Sequence, residues 1–96
     1  MGKLEPGQLV RSKAGRDKGK HYLVLKVEGP NRVLLVDGRR RPLNRPKGKN
    51  IGHLQPYNRR AEIKAELAAG KLTDSVIVRY LRELAPRDSP DQEKEG

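Results

Sequence analysis

The segment AGRDKGK, residues 14–20, carries residue types that bind phosphate: two glycines and four charged side chains between two strand-like runs. A nucleotide-binding P-loop needs four residues between its glycines, then Lys followed by Ser or Thr, and then a helix. Here three residues separate Gly15 from Gly19, and Lys20 is followed by His21 and a β-branched, leucine-rich run. The nucleotide-binding interpretation therefore fails on spacing, on the missing hydroxyl and on context.

Two clusters of cations remain as candidates for phosphate contact. The first belongs to the loop and contains Lys13, Arg16, Lys18 and Lys20. The second places six cations within eleven residues: Arg39, Arg40, Arg41, Arg45, Lys47 and Lys49. Arginine offers a planar, bidentate fork that matches phosphate and can stack on bases. The alternatives are solvated turn charges for the first cluster and a flexible basic arm without fixed geometry for the second.

The net charge of +10 is distributed unevenly along the 96 residues. Residues 1–60 contain 16 basic and 4 acidic side chains, a balance of +12, whereas residues 61–96 contain 6 and 8, a balance of −2. A small module this basic repels itself unless a polyanion neutralises it. The charge therefore favours a nucleic-acid partner over a merely solubilising surface, and it places a domain edge near Arg60.

Catalysis and metal binding find no support in the sequence. The chain has no cysteine, its two histidines lie far apart, and its three serines have no recognisable triad partners. No run approaches the roughly 18 apolar residues of a membrane span. We therefore expect a cytoplasmic protein that is not an enzyme, has no cofactor or metal, and makes no membrane contact.

Short apolar runs separated by Gly, Pro, Asn and Asp predict a mainly β module. The expected strands cover residues 7–13, 21–28, 33–36 and 39–43, and a last short strand lies within residues 51–57. Asp37-Gly38 suits a two-residue type I′ hairpin turn, with Arg39, Arg40 and Arg41 on the returning strand. The expected structural turn residues are Gly15, Gly19, Asp37 and Gly38.

After residue 57 the pattern becomes helical. A first helix is expected within 58–70, ended by Gly70. A second starts at Thr73 as N-cap, with Leu72 packing on Ile77 as a hydrophobic staple, and ends before Pro86. The polar and acidic residues 86–96 predict a disordered tail.

The opening stretch GQLVRSKAGRDKGKHYLVLKV resembles the KOW motif of ribosomal proteins and transcription elongation factors. It is most similar to short bacterial KOW-domain RNA-binding proteins and to KOW-type large-subunit ribosomal proteins of archaea and eukaryotes. The segment RPKGKNIGHLQP, residues 45–56, resembles the one that closes the barrel in that group, so the likeness covers roughly residues 6–57. It implies a five-stranded SH3-like barrel at residues 1–57, followed here by a two-helix appendage at 58–85.

The resemblance also implies that the basic loops contact RNA. Three tyrosines are too few for a sheet that stacks splayed bases, and only Tyr57 is a free candidate. We therefore expect docking on structured RNA, with large-subunit ribosomal RNA as the favoured target, by a protein that is monomeric when free. Residues 58–85 are candidates for contacts with ribosomal proteins. Two alternatives stay open: a protein-interaction module of the transcription or translation machinery, and a binder of double-stranded DNA.

Overall fold

The computed structural model describes residues 4–86. Its five strands form one antiparallel sheet in the order β4-β3-β2-β1-β5. They are β1 Gln8–Ser12, β2 His21–Val27, β3 Arg32–Val36, β4 Lys47–Asn50 and β5 Leu54–Arg60. Two helices follow, α1 Lys64–Ala68 and α2 Asp74–Leu84. The prediction of a mainly β chain with two C-terminal helices is confirmed, whereas the predicted tail lies, from residue 87 onward, outside the described residues.

The sheet is open but strongly curled. In the described residues β4 and β5 form its two edges and are not paired with each other. Five flat strands would hold these edges about 19 Å apart, four spacings of about 4.8 Å. Yet only a 3₁₀ turn, Ile51–His53, joins β4 to β5, and such a turn advances about 2 Å per residue. The sheet must therefore bend until its edges approach each other.

Each face of the sheet carries its own buried cluster, because Leu9 and Val10 in β1 and Leu23 and Val24 in β2 alternate between the faces. The first cluster joins sheet and helices: Leu9, Leu23, Val36, Ala61, Ile63, Leu72 and Ile77. The second lies on the opposite face: Val10, Tyr22, Val24, Val33, Leu35 and Leu54. Since the first cluster draws residues from both sides of position 57, the helices complete a core that the sheet alone leaves uncovered. The division into domains at that position stays a prediction.

The predicted strand at residues 39–43 is absent, and that prediction is wrong. Asp37 Oδ1 instead accepts the backbone N–H groups of both Arg39 and Arg41 at 2.8 Å. These bonds remove two donors from any strand ladder and form a compact turn. Gly38 has a φ of +79°, but among residues 4–86 only glycines have positive φ, so Asp37 does not adopt the expected type I′ geometry.

The boundaries after residue 50 also differ from the prediction. Residues 51–53 form the 3₁₀ turn, so the strand expected within 51–57 begins at Leu54, and it continues beyond that range to Arg60, which pairs with Gln8 of β1. Because β5 takes residues 58–60, α1 is only five residues long.

Helix α2 follows its sequence signals closely. Thr73 is the N-cap, and its hydroxyl accepts the Val76 N–H. Ile77 and Leu72 are both buried in the cluster that the helices share with the sheet. The helix ends at Leu84, two residues before Pro86, as predicted.

Candidate nucleic-acid interface

The β1–β2 loop has a defined conformation held by its own backbone. Gly15 and Gly19, two of the expected turn residues, have φ values of +85° and +92°. The Gly19 N–H donates to the Ser12 carbonyl at 2.8 Å, and the Lys20 N–H donates to the Asp17 carbonyl at 2.9 Å. The loop therefore presents its side chains from a fixed frame.

Asp17 turns inward from this loop and becomes a buried acceptor for four side chains. Its Oδ1 accepts from Ser12 Oγ at 2.8 Å and from Lys49 Nζ at 2.7 Å. Its Oδ2 accepts from Tyr22 OH at 3.0 Å and pairs with Lys47 Nζ, also at 3.0 Å. We call Asp17, Ser12, Tyr22, Lys47 and Lys49 the Asp17 cluster.

The electrostatics of the cluster favour an ionised Asp17 and a neutral Tyr22. Burial alone raises the pKa of the Asp17 carboxyl, but its four side-chain hydrogen bonds, with Lys49 contributing most, hold that pKa far below its ordinary value. Burial, together with the bond to Asp17, raises the pKa of the Tyr22 phenol well above its ordinary value. The carboxylate therefore stays charged and matched to its two lysines at neutral pH.

The Asp17 cluster joins the loop to two members of the second cation cluster, Lys47 and Lys49, and thereby distinguishes them from the remaining cations. Lys49 is nearly buried, and its ammonium donates to Ser12 Oγ, to the Ala14 carbonyl and to Asp17. All three of its protons are therefore used within the fold. Lys47 is also bound to Asp17, although its side chain is 27% exposed.

The other predicted cations carry their charge into solvent. Seven of them are exposed, and Arg41 is half-buried. Within residues 4–86 none of these side chains pairs with a carboxylate. These eight residues are Lys13, Arg16, Lys18, Lys20, Arg39, Arg40, Arg41 and Arg45. We call these eight residues the basic surface; four belong to the β1–β2 loop that contains Asp17, and four belong to the segment between β3 and β4.

The tyrosines do not provide a stacking platform. Tyr57, expected to be free, is instead packed against the cluster shared by sheet and helices, and its hydroxyl lies 3.0 Å from His21 Nε2. Tyr22 is buried, and the hydroxyl of Tyr80 in α2 donates to the Glu66 carboxylate at 2.8 Å. His53, by contrast, is exposed.

Sequence analysis missed two features of this site. Asp17 is not among the candidate residues that the sequence predicts, and the only signal for it is its position between two glycines in a basic loop. Ser75, Arg79 and Arg82 of α2 line a cleft with Arg39. Their spacing of four and three residues, which places them on one helical face, was the available signal.

Comparison with known proteins does not assign the chain to a family. No protein-family model matches the sequence, and no curated protein matches it. Within residues 4–86 no group of three or more His, Cys, Asp or Glu side chains is arranged to hold a metal ion. In the same part of the chain, no helix has the length and apolar character needed to cross a membrane.

Proposed function

We propose that the protein binds structured RNA through the basic surface, as a KOW-type ribosomal or ribosome-associated factor in the cytoplasm. The observation that carries the proposal is the contrast between the two lysines paired with Asp17 and the eight other predicted cations, which have no carboxylate partner within residues 4–86. Unpaired cations at this density repel one another, and a phosphate backbone relieves that repulsion. Large-subunit ribosomal RNA is the favoured target because the KOW resemblance points there.

The fold is consistent with this function, and we propose that the curled sheet is an SH3-like barrel. Its edge strands are joined by a single 3₁₀ turn, and the Asp17 cluster links the β1–β2 loop to β4 through Lys47 and Lys49. Such closure would hold both cation clusters on a rigid support.

The mechanism is electrostatic and geometric. Each cation that contacts a phosphate releases condensed counterions, so affinity falls with salt concentration. The Asp17 cluster fixes the loop bearing Arg16 and Lys18, and it keeps Lys49 from competing for phosphate. Tyr57 is packed and bonded, so readout of splayed bases contributes little.

The test is RNA binding measured by fluorescence anisotropy over a range of salt concentrations, with a structured hairpin and a single strand as probes. If about six phosphates of a single strand are contacted, log affinity falls against log salt with a slope near −4. Replacing Arg39, Arg40 and Arg41 by Ala should lower affinity and make the slope less steep by about 2.

A matched control removes the same charge elsewhere. Lys26, Lys64 and Lys71 are exposed and lie outside the basic surface, so their replacement by Ala should leave the slope nearly unchanged. Equal losses in the two triple variants would indicate attraction without a defined site. Absence of RNA binding by the unaltered protein would contradict the proposal and favour a protein partner, and equal affinity for a matched DNA duplex would remove the preference for RNA.

A further inference from the structure

An open cleft lies between the turn at residues 37–41 and the outer face of α2. Its volume is about 330 Å³, and Arg39, Ser75, Arg79 and Arg82 contribute to its walls. This volume falls at the lower end of the range of about 300–1,000 Å³ typical of ligand sites. The cleft is therefore large enough for a small charged group, and we call it the arginine cleft.

The charge of the arginine cleft favours an anion. It contains three guanidinium groups and one carboxylate, that of Asp74, for a net charge of +2. Within residues 4–86 none of the three arginines pairs with a carboxylate, and Arg79 lies 5.4 Å from the ring centre of Tyr80. Asp74 Oδ1 is already engaged, because it accepts the Leu43 N–H at 2.8 Å.

The turn that carries Arg39 is fixed against α2 before any ligand arrives. A Cβ added to Gly38 would lie 2.5 Å from the Asp74 carbonyl oxygen and 2.8 Å from Val78 Cγ2, so only glycine permits this approach. Asp37 closes the turn from the other side by accepting the N–H groups of Arg39 and Arg41. Because the backbone of this turn is already fixed, binding a phosphate there orders side chains but no backbone, which lowers the entropic cost of binding.

We propose that the arginine cleft binds one phosphate group of the RNA backbone, so that α2 becomes part of the RNA-binding surface. This inference rests on the proposed function. Arg39 belongs both to the basic surface and to the cleft, which makes the two continuous. Arginine forks bind phosphate oxygens bidentately, and the Ser75 hydroxyl adds a further donor. Helix α2, which lies in the segment predicted to contact ribosomal proteins, therefore contributes directly to RNA binding.

The first experiment compares Arg79→Gln, Arg82→Gln and the double variant in the salt-dependent anisotropy assay with single-stranded RNA. Since one phosphate is lost in every case, each variant should make the slope less steep by about 0.7, and the double variant should add little. Affinity should fall about tenfold, because charged hydrogen bonds are lost. Lys64→Gln and Lys71→Gln, which remove charge elsewhere, should not change the slope.

Asp74→Asn provides a change in the opposite direction. The amide oxygen can still accept the Leu43 N–H, but the negative charge disappears, so RNA affinity should rise severalfold. A purely structural role for Asp74 would leave the affinity unchanged or lower it. Circular dichroism of every variant checks that α2 remains folded.

Nuclear magnetic resonance then identifies the source of the phosphate. We expect the Nε–H signals of Arg39, Arg79 and Arg82 to shift when RNA is added and to shift little with equimolar inorganic phosphate. Saturation by inorganic phosphate, without a further change on adding RNA, would overturn the assignment to the RNA backbone. Normal RNA binding by the Arg79/Arg82 double variant would overturn the arginine cleft alone, whereas failure of the unaltered protein to bind RNA would overturn this inference together with the proposed function.

Discussion

Lys49 Nζ lies 2.7 Å from Asp17 Oδ1, and both side chains are more than nine-tenths buried. This ion pair links the loop after β1 to β4, two segments more than thirty residues apart in sequence. Lys49, one of the six cations at residues 39–49, therefore has a structural role. Lys49 is thus held in a buried ion pair, whereas the cations of the basic surface are not paired with a carboxylate within residues 4–86.

The first prediction concerns Asp17→Asn. The asparagine retains an oxygen for the Ser12 hydroxyl but leaves Lys49 as a buried cation without a counter-charge. Removing one partner of a buried pair costs about 3–5 kcal/mol, so we expect a loss of about 3 kcal/mol in the free energy of unfolding, measured with urea. Lys47→Met should cost less because Lys47 is more exposed. A loss below about 0.5 kcal/mol for Asp17→Asn would fall in the range of ordinary surface substitutions and contradict this role.

The second prediction concerns pH. The folded-state pKa of Asp17 is depressed below its ordinary value of 3.8, so the unfolded chain binds a proton at higher pH than the native protein does. The stabilisation is therefore complete above about pH 4 and is lost progressively as the pH falls below it. Urea unfolding between pH 7 and pH 2 should show a steeper loss for the unaltered protein than for Asp17→Asn. Parallel pH curves would show that Asp17 contributes nothing to acid sensitivity.

The third prediction separates two ways in which replacing a glycine destabilises the fold: backbone strain at positive φ and steric overlap with a neighbouring element. Gly38→Ala and Gly19→Ala both place a Cβ at positive φ, which costs about 1–2 kcal/mol. Only at Gly38 does the added atom also meet α2, because nothing lies within 4 Å of the corresponding position at Gly19. Gly38→Ala should therefore destabilise the fold by at least about 1 kcal/mol more than Gly19→Ala in urea unfolding, as expected for overpacking. Equal losses would mean that the turn does not need its close contact with α2.

The fourth prediction concerns Tyr57→Phe. The substitution removes the hydroxyl that lies 3.0 Å from His21 Nε2 and keeps the ring. We expect a loss of about 1 kcal/mol in unfolding free energy and no change in RNA affinity. Tyr57→Ala would also remove packing and should destabilise further. A large loss of RNA affinity in Tyr57→Phe, with stability preserved, would instead identify the phenol as an RNA contact.

Features specified by adjacent residues could be predicted from the sequence. The extent of β2, the N-cap at Thr73 and the end of α2 before Pro86 depend on side chains within a few positions of one another, and all three agree with the structure to within one residue. The positive φ of Gly19 was likewise expected from its place in a tight loop.

Features that depend on distant partners were not predictable in the same way. The expected strand at residues 39–43 fails because Asp37 binds its backbone and Gly38 docks on α2, a helix that begins 36 residues later at Asp74. The inward turn of Asp17 depends on Lys47 and Lys49 reaching it from another strand. A list of cations therefore predicted the basic surface but did not distinguish Lys49, whose charge is neutralised, from Arg16, whose charge is exposed.

The most direct test of RNA binding is ultraviolet crosslinking of the tagged protein in its own cells, followed by sequencing of the attached RNA. A variant with Arg16, Lys18 and Lys20 replaced by Gln serves as the comparison, because these exposed residues lie outside the Asp17 cluster. We expect a few sharp peaks in large-subunit ribosomal RNA that are strongly reduced in the variant. Diffuse signal over all transcripts, or equal signal from both proteins, would contradict specific docking through the basic surface.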